Sequence, residues 1–133
     1  MPTATDDKDA IREVLAEYCF ALDTHRFADM AALFSADGTW DTAFGKATGH
    51  AAIVELVGKI GKTAAMPSRP IHMVANIVIR LNGDGAQVLS NWTLVQNSDE
   101  GPKIGSAGAY EDQMVRRDGK WLFHYRKIDR FIA

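Results

Sequence analysis

The sequence predicts an α+β domain in which three N-terminal helices pack on a strongly curved, mostly antiparallel sheet and enclose an internal pocket. Two observations favour this fold class. Apolar residues recur at helical spacing in the first half, and β-branched runs joined by hairpin sequences fill the second half. Helices followed by hairpin-linked strands are typical of α+β rather than doubly wound folds. A chain of 133 residues suits one domain, here residues 1–133, with 1–7 expected to be flexible.

The first helix is predicted from Asp6 by a stripe of apolar residues. Asp6 and Asp7 suit its N-terminal cap and its dipole. Asp23 falls one turn beyond the last part of the stripe, so its carboxylate is expected to point partly inward. The stripe consists of Ile11, Val14, Leu15, Tyr18, Cys19 and Leu22.

Two further helices are expected before most of the sheet. A short helix over about Phe27 to Phe34 is predicted to end at the turn sequence Ser35-Ala-Asp-Gly38, and a strand through Trp40 follows. After the glycines at 45 and 49, the spacing of the apolar residues between Ala51 and Ile60 predicts the third helix.

The second half reads as a meander of four strands. A loop with Pro67 and Pro70 leads into a strand over 71–81, which the hairpin sequence Asn82-Gly-Asp-Gly85 joins to a strand over 86–96. A polar loop follows, and Asp118-Gly119 joins strands over 104–116 and 121–131. The small residues of Gly105-Ser-Ala-Gly-Ala109 indicate a sharp bend or close packing there, hence a strongly curved sheet.

Both faces of the strand over 71–81 are mostly apolar, which predicts helices on one face and a partner subunit on the other. The chain is therefore expected to form a homo-oligomer. His72 and Asn76 are polar exceptions on one face, and each needs a hydrogen-bonding partner if it is buried. Asp23 is a candidate partner for His72.

Composition and motifs exclude several classes of function. The net charge of −2 without a basic cluster argues against nucleic acid, and no apolar stretch is long enough to span a membrane. The acidic start does not resemble a secretory signal, so a cytoplasmic location is expected. No nucleotide or metal motif is present, and the lone Cys19 suits a buried side chain. We expect neither a metal nor another cofactor, because the four histidines lack ligand-like spacing.

Proton chemistry is the remaining possibility. Asp23 can fix the tautomer of His72 and stabilise its protonated form, which would make His72 a general base; the alternative is a core histidine beside a solvated aspartate. Arg126 could stabilise developing negative charge or simply pair with a surface carboxylate. Aromatic residues could donate hydrogen bonds into a cavity or form its walls and the core; these are Tyr18, Tyr110, Trp40, Trp92 and Phe44.

Four motifs make the chain, over about residues 8 to 131, resemble the SnoaL-like branch of the nuclear transport factor 2-like superfamily. They are Tyr-x-x-x-Leu-Asp at 18–23, Ala-Ala-Leu-Phe-Ser-Ala-Asp-Gly at 31–38, His-Met-Val-Ala-Asn at 72–76, and Tyr-Glu-Asp ahead of Arg-Asp-Gly-Lys-Trp at 117–121. The resemblance implies a cone in which helices close a curved sheet over a pocket, and a homodimer or homotrimer.

The resemblance also implies a chemistry. Several lyases of this branch use a His-Asp dyad, which would here be His72 and Asp23, and Arg126 matches an arginine near the dyad of hexachlorocyclohexane dehydrochlorinase. The lysine of that enzyme is replaced by Tyr18, as in bile acid dehydratase. In ketosteroid isomerase, a distant relative, the catalytic aspartate falls near Thr42, and Asp41 is expected on the opposite strand face.

The leading hypothesis is a cofactor-free lyase of dehydratase type. His72, supported by Asp23, would abstract a proton from a cyclic apolar substrate such as a steroid or a polyketide-like phenol, while Tyr18 or Arg126 assists a departing hydroxyl. Trp40, Phe44, Asn76, Trp92 and Tyr110 would contact the substrate. The alternatives are an isomerase of the ketosteroid type, or a non-catalytic subunit resembling the small subunit of a ring-hydroxylating dioxygenase.

Overall fold

The computed structural model describes residues 1–63 and 69–133, so Pro67 of the expected loop lies outside the described residues. Over these two ranges, three helices pack on a curved, unclosed sheet of six strands, which confirms the predicted fold class. The elements are α1 (Ala4–Asp23), α2 (Phe27–Ala32), β1 (Phe34–Thr42), β2 (Gly45–Thr48), α3 (His50–Thr63), β3 (Ile71–Asn82), β4 (Gly85–Ser98), β5 (Gly101–Arg117) and β6 (Lys120–Ile132).

The sheet has the strand order β2-β1-β6-β5-β4-β3. Strands β3 to β6 form the predicted antiparallel meander, with hairpins at the two glycine-containing turns. Strand β1 extends the sheet by pairing in parallel with β6, and β2 pairs antiparallel with β1. The core lies between the helices and the inner face of this sheet, where the apolar stripe of α1 is buried.

Helix α1 begins at Ala4, two residues before the predicted start. Thr3 is its N-cap: the Thr3 hydroxyl accepts a hydrogen bond from the Asp6 amide, and the Asp6 carboxylate accepts one from the Thr3 amide. Asp6 is therefore the third residue of a capping box rather than the cap itself. Asp7 accepts hydrogen bonds from Arg116 and Trp121, so the segment expected to be flexible contributes the first helical turn and ties it to the sheet.

The turn predicted at residues 35–38 is wrong, because strand β1 already starts at Phe34. Phe34 pairs in parallel with Phe123 of β6, and the register shifts between Phe34 and Thr39. Residues 35–38, whose sequence resembles a turn, lie in this shifted part of the strand. Gly38 is needed there because a Cβ would lie 2.9 Å from the Phe123 carbonyl oxygen.

The short strand β2 was not predicted from the sequence. It has only four residues, which are too few to show a clear alternation, and it pairs with β1.

A bulge in β3 overturns the predicted alternation of its faces. The register with β4 shifts between Ala75 and Val78, and Asn76 has a left-handed backbone with φ of 54°. Before the bulge His72 faces inward, and after it the inward positions move to the odd-numbered residues such as Ile79. Asn76 is consequently exposed, and its side chain donates a hydrogen bond to Asn91 on the neighbouring strand.

Gly108 allows an unusually close approach of β6 to β5. A Cβ at Gly108 would lie 1.8 Å from the backbone carbonyl oxygen of Asp129. The same carbonyl accepts a hydrogen bond of 3.0 Å from the indole of Trp92, which reaches across β5 from β4. The close packing expected from the run of small residues is therefore between strands, and it orients Trp92 toward the helices.

We predict that Gly108→Ala lowers the free energy of unfolding by at least about 2 kcal/mol, because the backbone of β6 must move to admit the methyl group. The measurement is chemical denaturation of the purified variants. Gly58→Ala is the control, since Gly58 lies in α3 with no atom within 4 Å of an added Cβ. It should stabilise the protein by up to about 1 kcal/mol through helix propensity. Equal effects of the two substitutions would contradict the role given to Gly108.

Candidate functional site

A cavity of about 270 Å³ lies between the helices and the inner face of the sheet. Its depth is lined by buried aromatic side chains, and exposed residues of the β1–β2 turn and of β6 form its mouth. An apolar cavity with few polar groups is the usual form of a small-molecule site. The polar or charged side chains that line it are those of Tyr18, Asp23, His25, Thr42, His72, Ser106, Tyr110 and Arg130, together with two tryptophans, Trp40 and Trp92.

Asp23 and His72 are hydrogen-bonded at the wall of this cavity. The Nδ1 atom of His72 is 2.5 Å from Asp23 Oδ1, and the backbone amide of His72 donates to Asp23 Oδ2 over 2.9 Å. The carboxylate is an acceptor, so Nδ1 carries the proton and Nε2 carries the lone pair. Nε2 has no hydrogen-bonding partner in the part of the chain that the structure describes. His72 lines the cavity, and 18% of its side chain is exposed.

The two members of this pair lie at the ends of a helix and a strand. Asp23 is the last residue of α1 and is buried, whereas His72 is the second residue of β3 and precedes the bulge. The two-point contact of the carboxylate with the amide and the ring of His72 fixes the imidazole against the end of the helix. This contact joins two residues, Asp23 and His72, that are 49 positions apart in the sequence.

Tyr18 lies one and a half helical turns before Asp23 and also faces the cavity. Its hydroxyl oxygen accepts a hydrogen bond of 2.9 Å from the Trp40 indole, which leaves the phenolic hydrogen free to be donated elsewhere. Burial raises the pKa of Tyr18 to about 12, and the positive charge of Arg126 only partly opposes this shift. Tyr18 is therefore a neutral hydrogen-bond donor at physiological pH.

Arg126 lies behind the tyrosines and does not line the cavity, contrary to the expectation that it acts at the reacting centre. It is fully buried, and its Nε and Nη2 atoms donate to the two oxygens of Asp112 over 2.8 and 3.0 Å. Its guanidinium carbon is 3.6 Å from the ring centre of Tyr110 and 4.2 Å from that of Tyr18. Arg126 thus supports the two phenol rings from below through cation–π contacts.

Burial and mutual attraction shift the pKa values of both members of the buried ion pair. Burial raises the pKa of Asp112, and the adjacent guanidinium opposes that rise. Burial by itself lowers the pKa of Arg126, but the Asp112 carboxylate together with Tyr110 and Tyr18 outweighs it, and the pKa of Arg126 is raised overall. Asp112 was quoted within the Tyr-Glu-Asp motif but was not recognised as a functional residue. The sequence could have indicated it, because Asp112 lies two residues after Tyr110 in a strand and therefore on the same strand face.

The sequence model of the SnoaL-like domain matches residues 3–127 of the chain. The chain belongs to the SnoaL-like domain family. The resemblance found from its four motifs is therefore confirmed. The cavity described above occupies the space between helices and sheet that the fold leaves open, so we refer to it as the SnoaL-like cavity.

Solved structures with the same fold cover nearly the whole chain. A Nostoc punctiforme protein of unknown function with a cystatin-like fold is 26% identical, with a TM-score of 0.83, covering 98% of this chain and 94% of that one. A Novosphingobium aromaticivorans protein provisionally named scytalone dehydratase is 25% identical, with a TM-score of 0.77 and coverage of 95% and 85%. The beta subunit of a provisionally named aromatic-ring-hydroxylating dioxygenase from the same organism is 19% identical, with a TM-score of 0.82 and coverage of 98% and 92%. No curated protein matches the chain in sequence.

The remaining predicted site residues divide into two groups. Trp40, Phe44, Trp92 and Tyr110 line the SnoaL-like cavity, with Phe44 largely exposed at its mouth. Asn76 does not, because the bulge turns it outward. Other lining residues were not assigned to the site from the sequence; these include Leu22, Phe27, Ser106, Ile128 and Arg130.

Two findings concern other classes of site. Within residues 1–63 and 69–133, no group of three or more His, Cys, Asp or Glu side chains is arranged to hold a metal ion. None of the described helices is long and apolar enough to cross a membrane.

We predict that Asp112→Asn lowers the free energy of unfolding by about 3 to 5 kcal/mol, because it leaves the Arg126 charge buried without a counter-charge. The double variant Asp112→Leu with Arg126→Met should recover much of this loss, since neither charge is then buried. Asp9→Asn is the control, because it breaks an exposed pair with Arg12 that should contribute about 0 to 1 kcal/mol. Denaturant titrations measure all three, and an Asp112→Asn protein as stable as the control would refute this account of the ion pair.

Proposed function

We propose that the chain is a cofactor-free lyase of dehydratase type that acts on a compact cyclic, largely apolar substrate. The observation that carries this proposal is the hydrogen bond of 2.5 Å between His72 Nδ1 and Asp23 at the wall of an apolar cavity. It leaves the lone pair on His72 Nε2 without a protein partner among the described residues. An imidazole held in this way is suited to general base catalysis.

In the proposed reaction, His72 Nε2 takes a proton from the carbon next to an activating carbonyl group. The electron pair of that C–H bond forms a carbon–carbon double bond as the bond to a neighbouring hydroxyl breaks. The departing hydroxyl accepts the proton from the imidazolium and leaves as water, so His72 returns to its neutral form. Asp23 stabilises the imidazolium during the step, because the carboxylate accepts its Nδ1 hydrogen bond.

Tyr18 assists the departing oxygen in this scheme by donating a hydrogen bond to it. The Trp40 indole occupies the acceptor side of the Tyr18 hydroxyl, which directs its hydrogen away from Trp40. A phenol with a pKa of about 12 keeps its proton at physiological pH, so this hydrogen remains available to the departing oxygen. Arg126 contributes indirectly, by supporting the Tyr18 ring from behind.

The size of the cavity favours one or two rings rather than a complete steroid. Its volume of about 270 Å³ lies near the lower end of the usual range for small-molecule sites. Trp92 and Tyr110 line the cavity, with ring centres 6.1 Å apart and ring planes 29° from parallel. A planar or nearly planar bicyclic phenol or ketone is the ligand that such an aromatic lining suits.

The comparisons bear on this proposal in two ways. The similarity to a protein provisionally named scytalone dehydratase supports a dehydratase. The similarity to a dioxygenase beta subunit is one of fold, and it keeps a non-catalytic subunit as the alternative. An isomerase with an aspartate base on β1 is disfavoured, because Asp41 accepts a hydrogen bond from Tyr125 and does not line the cavity, where Thr42 lies instead.

The proposal predicts catalysis of hydrogen exchange and of dehydration on bicyclic ketones. Tetralone in deuterated water should gain deuterium next to its carbonyl, and a hydroxytetralone with its hydroxyl two carbons from the carbonyl should lose water to give naphthol. His72→Gln should lower both rates by about 10²- to 10⁴-fold, because the base is absent. Mass spectrometry follows the exchange, and naphthol fluorescence follows the dehydration.

Two variants separate the roles in this experiment. Tyr18→Phe should slow dehydration more than exchange, since exchange has no departing hydroxyl. His124→Gln is the matched control, because His124 lies outside the cavity beside Ser35. Exchange that is unchanged in His72→Gln would remove His72 from the mechanism. Binding of tetralone without exchange by the unmodified chain would favour the non-catalytic alternative.

We also propose that the chain forms a homo-oligomer through the outer face of β3 to β5. Five large apolar side chains are exposed on this face, which is more than isolated surface residues would require: Ile71, Met73, Val78, Leu89 and Ile104.

Met73→Glu is predicted to convert the oligomer to a smaller species, because it puts a charge at the centre of the apolar face. Light scattering coupled to size-exclusion chromatography gives the mass of each species. Phe20→Glu is the control, since Phe20 is equally exposed but lies on α1. A monomeric unmodified chain would contradict the proposed oligomer.

A further inference from the structure

Arg130 is an exposed cation at the mouth of the cavity. It is the last inward-facing residue of β6 that lines the cavity, after Ile128 on the same strand face. Its guanidinium carbon lies 5.4 Å from the ring centre of Phe44, which belongs to the turn between β1 and β2 on the same side of the mouth. The aromatic ring therefore supports the guanidinium at the entrance, while its donor groups stay accessible to a ligand.

No carboxylate of residues 1–63 or 69–133 pairs with Arg130. This distinguishes it from Arg116 and Arg117, which form ion pairs with aspartates over 2.8 to 2.9 Å. Asp23, the one carboxylate among the described lining residues, is already bound to His72. The positive charge of Arg130 is thus directed at the cavity mouth without a protein anion to neutralise it.

Arg130 and His72 lie on opposite sides of the cavity. Across the sheet, Arg130 of β6 pairs with Gly108 of β5, Gly108 pairs with Trp92 of β4, and Trp92 pairs with Val74 of β3. Val74 lies next to His72 on the same face of β3. Three strand spacings separate β6 from β3, about 14 Å along the sheet. The curvature of the sheet and the two long side chains shorten the gap that a ligand must bridge.

We infer that the ligand of this cavity carries an acidic group, a carboxylate or a phosphate, at the end opposite the carbon that faces His72, and that Arg130 binds this group. The planar fork of a guanidinium is suited to two parallel hydrogen bonds with such an anion. The apolar lining contacts the rings between the two ends. This inference rests on the proposed function only for the orientation of the reacting carbon, because the binding of the acid does not need catalysis.

Isothermal titration calorimetry with three ligands of similar shape tests the inference: naphthoate, naphthyl phosphate and the neutral naphthamide. The unmodified chain should bind at least one of the two anions about five- to ten-fold more tightly than the amide, and this preference should weaken as salt is added. The stronger of the two anions identifies the acid. Arg130→Met should abolish the preference while leaving the affinity for naphthamide nearly unchanged, since the apolar stem still packs on Phe44.

Arg80→Met is the matched control, because Arg80 is an exposed arginine of β3 outside the cavity and its loss changes the net charge equally. The preference should survive in this variant and in His72→Gln. Equal affinity for acid and amide, a preference that persists in Arg130→Met, or failure of all three ligands to bind would overturn the inference. A preference that depends on Arg130 in a chain without exchange activity would refute the proposed lyase and leave the acid site standing.

Discussion

The buried ion pair between Asp112 and Arg126 is the constraint on which the cavity depends. Removing a charge from water costs free energy unless the protein supplies its counter-charge and hydrogen bonds. Arg126 obtains its counter-charge and two hydrogen bonds from one carboxylate, which locks β5 to β6 beneath the cavity, while its buried Nη1 atom has no hydrogen-bonding partner among the described residues. Its guanidinium carbon lies over the rings of both Tyr18 and Tyr110, so the two phenols pack against one buried charge.

Helix α1 connects this buried charge to the proposed base. Tyr18 packs on Arg126 at one point of the helix, and Asp23 binds His72 at its end. Asp112 accepts two hydrogen bonds from Arg126 within the sheet, and Asp23 accepts two from His72 between helix and sheet. A displacement of α1 would therefore disturb both contacts together.

Much of the fold and part of the site could be predicted from the sequence. The helical stripe of α1 and the two glycine-containing hairpins depend on neighbouring residues, so local patterns revealed them. The pairing of Asp23 with His72 was expected because motif resemblance joined residues that spacing could not connect. Asn76 was misassigned because strand alternation assumes an unbroken register, and a single residue with a left-handed backbone reverses it.

The sequence by itself determined the order of the elements, the apolar faces and the residue types available for proton chemistry, because these follow from periodicity and from side-chain structure. Only the tertiary structure decided which of those residues share the cavity. It buried Arg126 behind two tyrosines, turned Asn76 outward and brought Arg130 to the mouth beside Phe44. These outcomes depend on strand registers and contacts between residues far apart in the chain, for which no local pattern carries a signal.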